Sequence, residues 1–145
     1  MKIVKQLVLV LVLFSLNQLY LYSADPAFSV SGVVKFEKNY DIRIEVINKV
    51  EYWDNLNSEY AVIIAVDEEI YAQKKVSFAI TGIPAGDYLV KVYQDMNGNR
   101  KFDFALFGGE PLGSYKKPGF VLFRPSFKSL AFTLNQDLAG IEVEL

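Results

Sequence analysis

"TGIPAGDYLVKVYQD", residues 81–95, decides how the rest of the chain is read. Pro84 presets one turn dihedral and Gly86 supplies a permissive one. Beyond them Tyr88, Val90 and Val92 alternate with Leu89, Lys91 and Tyr93. A period of two entered through a turn is a β-strand. The same period recurs upstream. "KKVSFAI" (residues 74–80) turns Val76, Phe78 and Ile80 inward, and "DIRIEVINKV" (41–50) sets Ile42, Ile44 and Val46 against Arg43 and Glu45. "FSVSGVVKF" (28–36) is a first strand, and the near-continuous apolar run "EYAVIIAVDEE" (59–69) suits a central one. Downstream, "SFKSLAFTL" (126–134) and "LAGIEVEL" (138–145) read as the last two strands, with Leu138, Ile141, Val143 and Leu145 available for a closing edge. A helical turn fits only "DEEIYAQKK" (67–75). About seven strands at roughly ten-residue spacing predict an all-β chain, a single Greek-key β-sandwich of immunoglobulin-like or transthyretin-like form.

The first 24 residues are of another kind. Lys2 and Lys5 precede an apolar run over residues 7–16, and Leu21-Tyr22-Ser23-Ala24 gives a small-residue boundary before Asp25-Pro26. This is the layout of a secretory signal peptide, so the expected organisation is a signal over residues 1–24 and a β-sandwich over 25–145, exported to the periplasm or beyond the cell. An uncleaved anchor is the alternative reading, since residues 7–22 approach the length of a membrane span, although Asn17 and Gln18 interrupt them.

Absent residue types exclude whole chemistries. The chain has no Cys, hence no disulfide, lipid-anchoring thiol or thiolate nucleophile. It has no His, which removes the commonest general base and transition-metal ligand. Loss of residues 1–24 takes two Lys and no acid, moving the formal charge from -2 to -4. Mild acidity without a basic cluster argues against nucleic acid and against anionic membranes as partners. A domain of about 120 residues without disulfides must rely on its core, on an ion, or on both.

"DMNGNRKFD", residues 95–103, follows the deciding strand. Side-chain oxygens recur at Asp95, Asn97, Asn99 and Asp103, with Lys101 able to offer its backbone carbonyl and Glu110 downstream to close a cage. Calcium takes six to eight oxygens, and alternate positions around a tight turn supply them. The loop departs from the EF-hand: Gly98 stands at position 4 instead of 6, and Leu106 occupies the twelfth position where a bidentate Glu belongs. Asn97-Gly98 also signals a bare type I′ hairpin, with Phe102, Phe104 and Leu106 as the returning strand. The two readings are compatible. After them residues 107–119, rich in Gly and Pro, read as a long surface loop.

Tyr52-Trp53 are either a ligand-facing aromatic pair or a core anchor. Asp67, Glu68 and Glu69, the pair Asp54 and Glu59, and Lys116-Lys117 read as solvated positions. Asp103 and Glu110 are also the acids a carboxylate-dependent polysaccharide hydrolase would use, if they faced one another across a groove.

"IPAGDYLVKVYQDMNGNRKFD", then "GGEPLG", "RPSFKSLAFTL" and "IEVEL" resemble, in order, the motifs of the bacterial domain of unknown function 2141 family. The resemblance covers residues 76–145 well and residues 30–46 as a generic hairpin. It places Pro84, Gly86 and Tyr88 at the turn, Asp95, Asn97, Asn99 and Asp103 in the polar loop, Glu110 and Gly113 after it, and Pro125, Ser126 and Phe127 before the penultimate strand. Gln94 stands where members often have His, and Gly108-Gly109-Glu110 replaces a Gly-Ile-Pro-x-Glu segment. The resemblance implies an exported, transthyretin-like or carboxypeptidase-regulatory-like sandwich that serves as an accessory, binding or scaffold module of the envelope, meeting a protein or glycan surface, with no established activity.

Overall fold

A computed structural model describes residues 26–48, 58–103, 108–117 and 125–145. The expected signal segment, Tyr52, Trp53, Asp54, Phe104 and Leu106 lie outside the described residues. Strands β1 (Ala27–Lys35), β2 (Ile42–Ile47) and β3 (Tyr60–Ile64) lead to helix α1 (Glu68–Gln73), then β4 (Lys75–Pro84) and β5 (Gly86–Gln94). β6 (Leu112–Ser114), helix α2 (Phe127–Leu130), β7 (Phe132–Leu134) and β8 (Leu138–Glu144) complete the order.

The strands form two sheets, one ordered β4-β1-β8 and the other β3-β2-β5-β6, with β7 paired to the start of β5. The sandwich expectation holds, with eight strands among the described residues where about seven were expected. Its core is the inward set the alternation marks: Val30, Val34, Ile42, Ile44, Val46, Phe78, Ile80, Tyr88, Val90, Val92, Ile141 and Val143. Each such side chain contributes about 1.5–3 kcal/mol on burial. β1 and β8 run parallel, whereas β1–β4, β2–β3 and β2–β5 are antiparallel. The parallel pair brings β8 so close to β1 that a Cβ on Gly32 would lie 2.1 Å from the Ile141 carbonyl oxygen.

Three local readings need correction. "EYAVIIAVDEE" is an edge strand, not a central one: β3 pairs only β2 among the described strands, and Ile63 is 50% exposed. Residues 107–119 are not loop throughout, because Leu112, Gly113 and Ser114 pair Tyr93, Val92 and Lys91. Gly113 suits that position because an added Cβ would meet the Glu144 carbonyl oxygen at 2.6 Å. "SFKSLAFTL" splits into α2 and β7, since the Ser126 side chain caps the helix by accepting from the Ser129 N–H. Asp67 likewise caps α1, with its carboxylate accepting from the Ile70 N–H at 2.9 Å, while Glu68 and Glu69 occupy the favourable first turn. The helical turn expected over residues 67–75 is therefore real, and two of its acids lie where the helix dipole favours them.

The second face of the five-stranded sheet is also covered. Ile47 and Leu89 pack with Leu130 of α2 in a small apolar cluster. Beside it Arg43, Glu45 and Lys91 are buried. The β2–β5 register sets Glu45 opposite Lys91. Arg43 Nε donates to Glu45 Oε1 at 2.5 Å and Lys91 Nζ lies 2.6 Å from Oε2. The polar set on this face, expected to oppose the core, is thus an internal ion network.

Candidate functional site

Strand β5 delivers the polar loop. The Gln94 N–H donates to the Pro111 carbonyl at 3.2 Å and the Asp95 N–H to the Asp41 carbonyl at 3.0 Å, so both the entrance and the exit of the loop are tied to the sheet. β5 pairs β6 at residues 112–114 and residues 95–103 carry no strand, so the bare type I′ hairpin at Asn97-Gly98 is not what forms. A type I′ turn needs positive φ at both central residues. Positive φ falls instead on Gly98 (φ 73) and Arg100 (φ 61).

Inside the loop the side chains fold back onto the backbone. Asp95 accepts from the Asn99 N–H at 3.1 Å through Oδ1 and from the Arg100 N–H at 2.8 Å through Oδ2. Asn97 Oδ1 accepts from the Asn99 N–H at 3.0 Å, and Asn99 Oδ1 from the Lys101 N–H at 2.7 Å. These side-chain to backbone bonds are the ones Asp and Asn make in turns. Two donors then converge on a single acceptor: Asn97 Nδ2 and Asn99 Nδ2 reach Asp103 Oδ2 at 2.6 and 2.7 Å.

Glu110 plays another part than the one its position suggests. It is 9% exposed, and its carboxylate bridges the two arms of the loop. Oε1 accepts from the Met96 N–H at 2.7 Å and Oε2 from the Asp103 N–H at 3.0 Å, while the Glu110 N–H donates to the Asp103 carbonyl. Bonds to an ionised acceptor are the strong kind. Glu110→Ala should lower stability by about 2–3 kcal/mol, with Glu110→Gln recovering little because its Nε2 cannot accept a backbone N–H; urea unfolding of the three proteins measures both.

The five side chains predicted from sequence therefore share one loop. Among the described residues no group of three or more His, Cys, Asp or Glu is set to hold a metal. An ion here would draw on carboxamide and backbone oxygens as well as Asp95, Asp103 and Glu110. Lys101 enters through its N–H in the bond described above, and its carbonyl remains the atom a cation would use. Asp103 and Glu110 are joined side by side through the Asp103 backbone.

Sequence reading gave no part in the site to four neighbours. Gln94 is fully buried and donates from Nε2 to the Lys38 and Tyr40 carbonyls at 2.7 and 3.1 Å. Its Oε1 has no hydrogen-bond partner among the described residues. The Tyr93 hydroxyl donates to the Arg100 carbonyl at 3.2 Å. Burial, followed by the nearby Glu45 carboxylate, pushes that phenol well above the ordinary tyrosine range, so it remains a donor at any physiological pH. Arg43 and Arg100 face the same cavity beside the loop. Their approach depends on strand register and on the left-handed turn at Arg100, neither of which the spacing of the residues displays.

A bacterial family described as "uncharacterized protein conserved in bacteria (DUF2141)" matches residues 30–141. No curated protein and no solved structure matches the chain. The match runs from the first core residue of β1 to β8 and takes in the whole polar loop.

Proposed function

The chain belongs to this uncharacterized bacterial family, and we propose that it is a non-enzymatic, exported β-sandwich module of the cell envelope, an accessory, binding or scaffold protein whose loop over residues 95–110 is ordered by calcium. The export reading rests on the Lys2 and Lys5 flank and apolar run of residues 1–24. The absence of Cys and His from the sequence favours a scaffold over a nucleophile-based enzyme. Asp103 and Glu110 are bonded side by side through the Asp103 backbone, an arrangement suited to an ion loop more than to two acids acting across a groove.

One observation carries the ion reading: two carboxamides aim their N–H groups at a single carboxylate oxygen, that of Asp103. They supply there the positive partial charge that a cation would supply. A half-turn of each carboxamide exchanges nitrogen for oxygen and surrounds the same point with three oxygens. The exchange gives up the bonds from the Asn99 and Lys101 N–H groups, so it needs a cation to offset their loss.

A site of this openness suits a dissociation constant of about 0.1–1 mM, and 1 mM calcium would then add about 0.4–1.4 kcal/mol. Thermal melting with calcium and with chelator, on the native protein and on Asp95→Ala, reads that increment. The native protein should melt about 1–5 °C higher in calcium, while Asp95→Ala should melt lower and respond to neither solution. Equal melting of the native protein in both solutions would leave the loop held by its own hydrogen bonds alone.

A further inference from the structure

A cavity of about 210 Å³ opens between the start of β2, the edge strand β3 and the polar loop. Arg43 and Arg100 line it, together with Ile42, Ile63, Asp41 and Asp95. The two arginines are held there in different ways. Arg43 is 7% exposed, and its Nε is fixed on Glu45 within the buried ion network, which leaves the outer nitrogens of its fork for the cavity. Arg100 is exposed but its backbone is clamped, with the N–H on Asp95 and the carbonyl under the Tyr93 hydroxyl.

That clamp holds Arg100 at φ 61, a conformation in which a side chain costs stability and Gly does not. Two residues earlier the chain uses Gly98 for the same conformation. Strain kept at a residue that faces a cavity points to a use for its side chain. The aspartates on the same wall are already engaged: Asp95 through both oxygens, and Asp41 through Oδ1 to the Val66 N–H at 3.3 Å. Ile63, an edge-strand residue left half exposed, supplies an apolar wall.

We propose that this cavity binds a small organic carboxylate, its head in the fork formed by Arg43 and Arg100 and its apolar body on Ile63. Guanidinium is the group that matches a carboxylate in planar, paired hydrogen bonds. The volume is below that of pockets for drug-sized ligands, which confines the guest to a few carbons. The site adjoins the ion site in the loop and shares Asp95 with it, the loop forming one of its walls.

Butyrate is the probe and butyramide its neutral counterpart, with the arginine Nε–H resonances followed by NMR in calcium and again in chelator. Butyrate should shift the Arg43 and Arg100 signals saturably in the millimolar range, and butyramide should not. Arg100→Gly should raise the melting temperature by about 2–4 °C through relief of strain, while abolishing the butyrate response at Arg43. Arg100→Gln, which keeps the strain, should weaken binding by about tenfold or more. A response in either solution upholds the site, and calcium-independent melting then counts against the ion reading alone. No saturable shift in either solution, an equal shift with butyramide, or an undiminished response in Arg100→Gly overturns the proposal.

Discussion

Glu45→Ala is expected to lower the unfolding free energy by about 3–5 kcal/mol, the largest loss of any single substitution in the second face of the sheet. Glu45 is 1% exposed and lies between Arg43 Nε and Lys91 Nζ at 2.5 and 2.6 Å. Its removal takes away the carboxylate that the buried Arg43 and Lys91 share. Both cations are themselves buried residues, and Arg43 also lines the cavity. The cost is mostly that of breaking a buried ion network, and it should persist in high salt, unlike that of an exposed pair. Glu45→Gln keeps the volume and one acceptor oxygen and should lose less than Glu45→Ala. Urea unfolding at low and high ionic strength reads the difference as a shift in midpoint at constant slope. A loss below about 1 kcal/mol for Glu45→Ala would mean that the network is a solvated one.

Gly32→Ala should be comparably severe, costing at least about 3 kcal/mol, for a reason that has nothing to do with backbone freedom. β1 is the middle strand of its sheet, between β4 and β8. An added Cβ would sit 2.1 Å from the Ile141 carbonyl oxygen and 2.9 Å from its carbonyl carbon. The obstacle is backbone, which has no rotamer to change, so β8 must move off β1. With it would go the bond from the Leu145 N–H to the Lys35 carbonyl and the burial of Ile141 and Val143. Loss of the cooperative unfolding transition, or a fall in melting temperature beyond about 6 °C, is the expected reading. A near-native melting temperature would show that β8 is loosely held and that the parallel pairing adds little.

The two substitutions bear on the site through the elements that carry it. β2 supplies Arg43 to the cavity and Glu45 to the ion network, so the charge that fixes Arg43 also aims it. β5 supplies Tyr93, which packs edge-on against Phe102 and donates to Arg100, and ends in the buried Gln94 that anchors the neighbouring chain at residues 38–40. The bonds to the sheet at Gln94 and Asp95 and the Glu110 bridge tie together the described parts of the loop, residues 95–103 and 108–111.

The alternation in "DYLVKVYQD" and its upstream counterparts was sufficient to announce two packed sheets, because a period of two allows only one set of side chains into a shared core. The oxygens of the polar loop were legible for the same reason: Asp95, Asn97, Asn99 and Asp103 recur at the spacing at which side chains in a tight turn can meet. Other features were hidden. Asn97-Gly98 reads locally as a hairpin, but β5 finds its partner at residues 112–114, so a non-local pairing overrides the turn signal. "SFKSLAFTL" reads as one strand until the Ser126 cap is seen to start a helical turn.

By itself, then, the sequence determined an all-β sandwich, an absence of Cys and His chemistry, and a loop of clustered oxygens, all of which follow from residue type and near-neighbour spacing. Only the tertiary structure decided that Arg43, Glu45 and Lys91 are an internal network, that Glu110 bridges the loop, and that Arg43 and Arg100 share a cavity. Each of those depends on which strand lies beside which and in what register. A one-residue slip would turn every side chain of a strand to its opposite face, and no run of neighbouring residues records that choice.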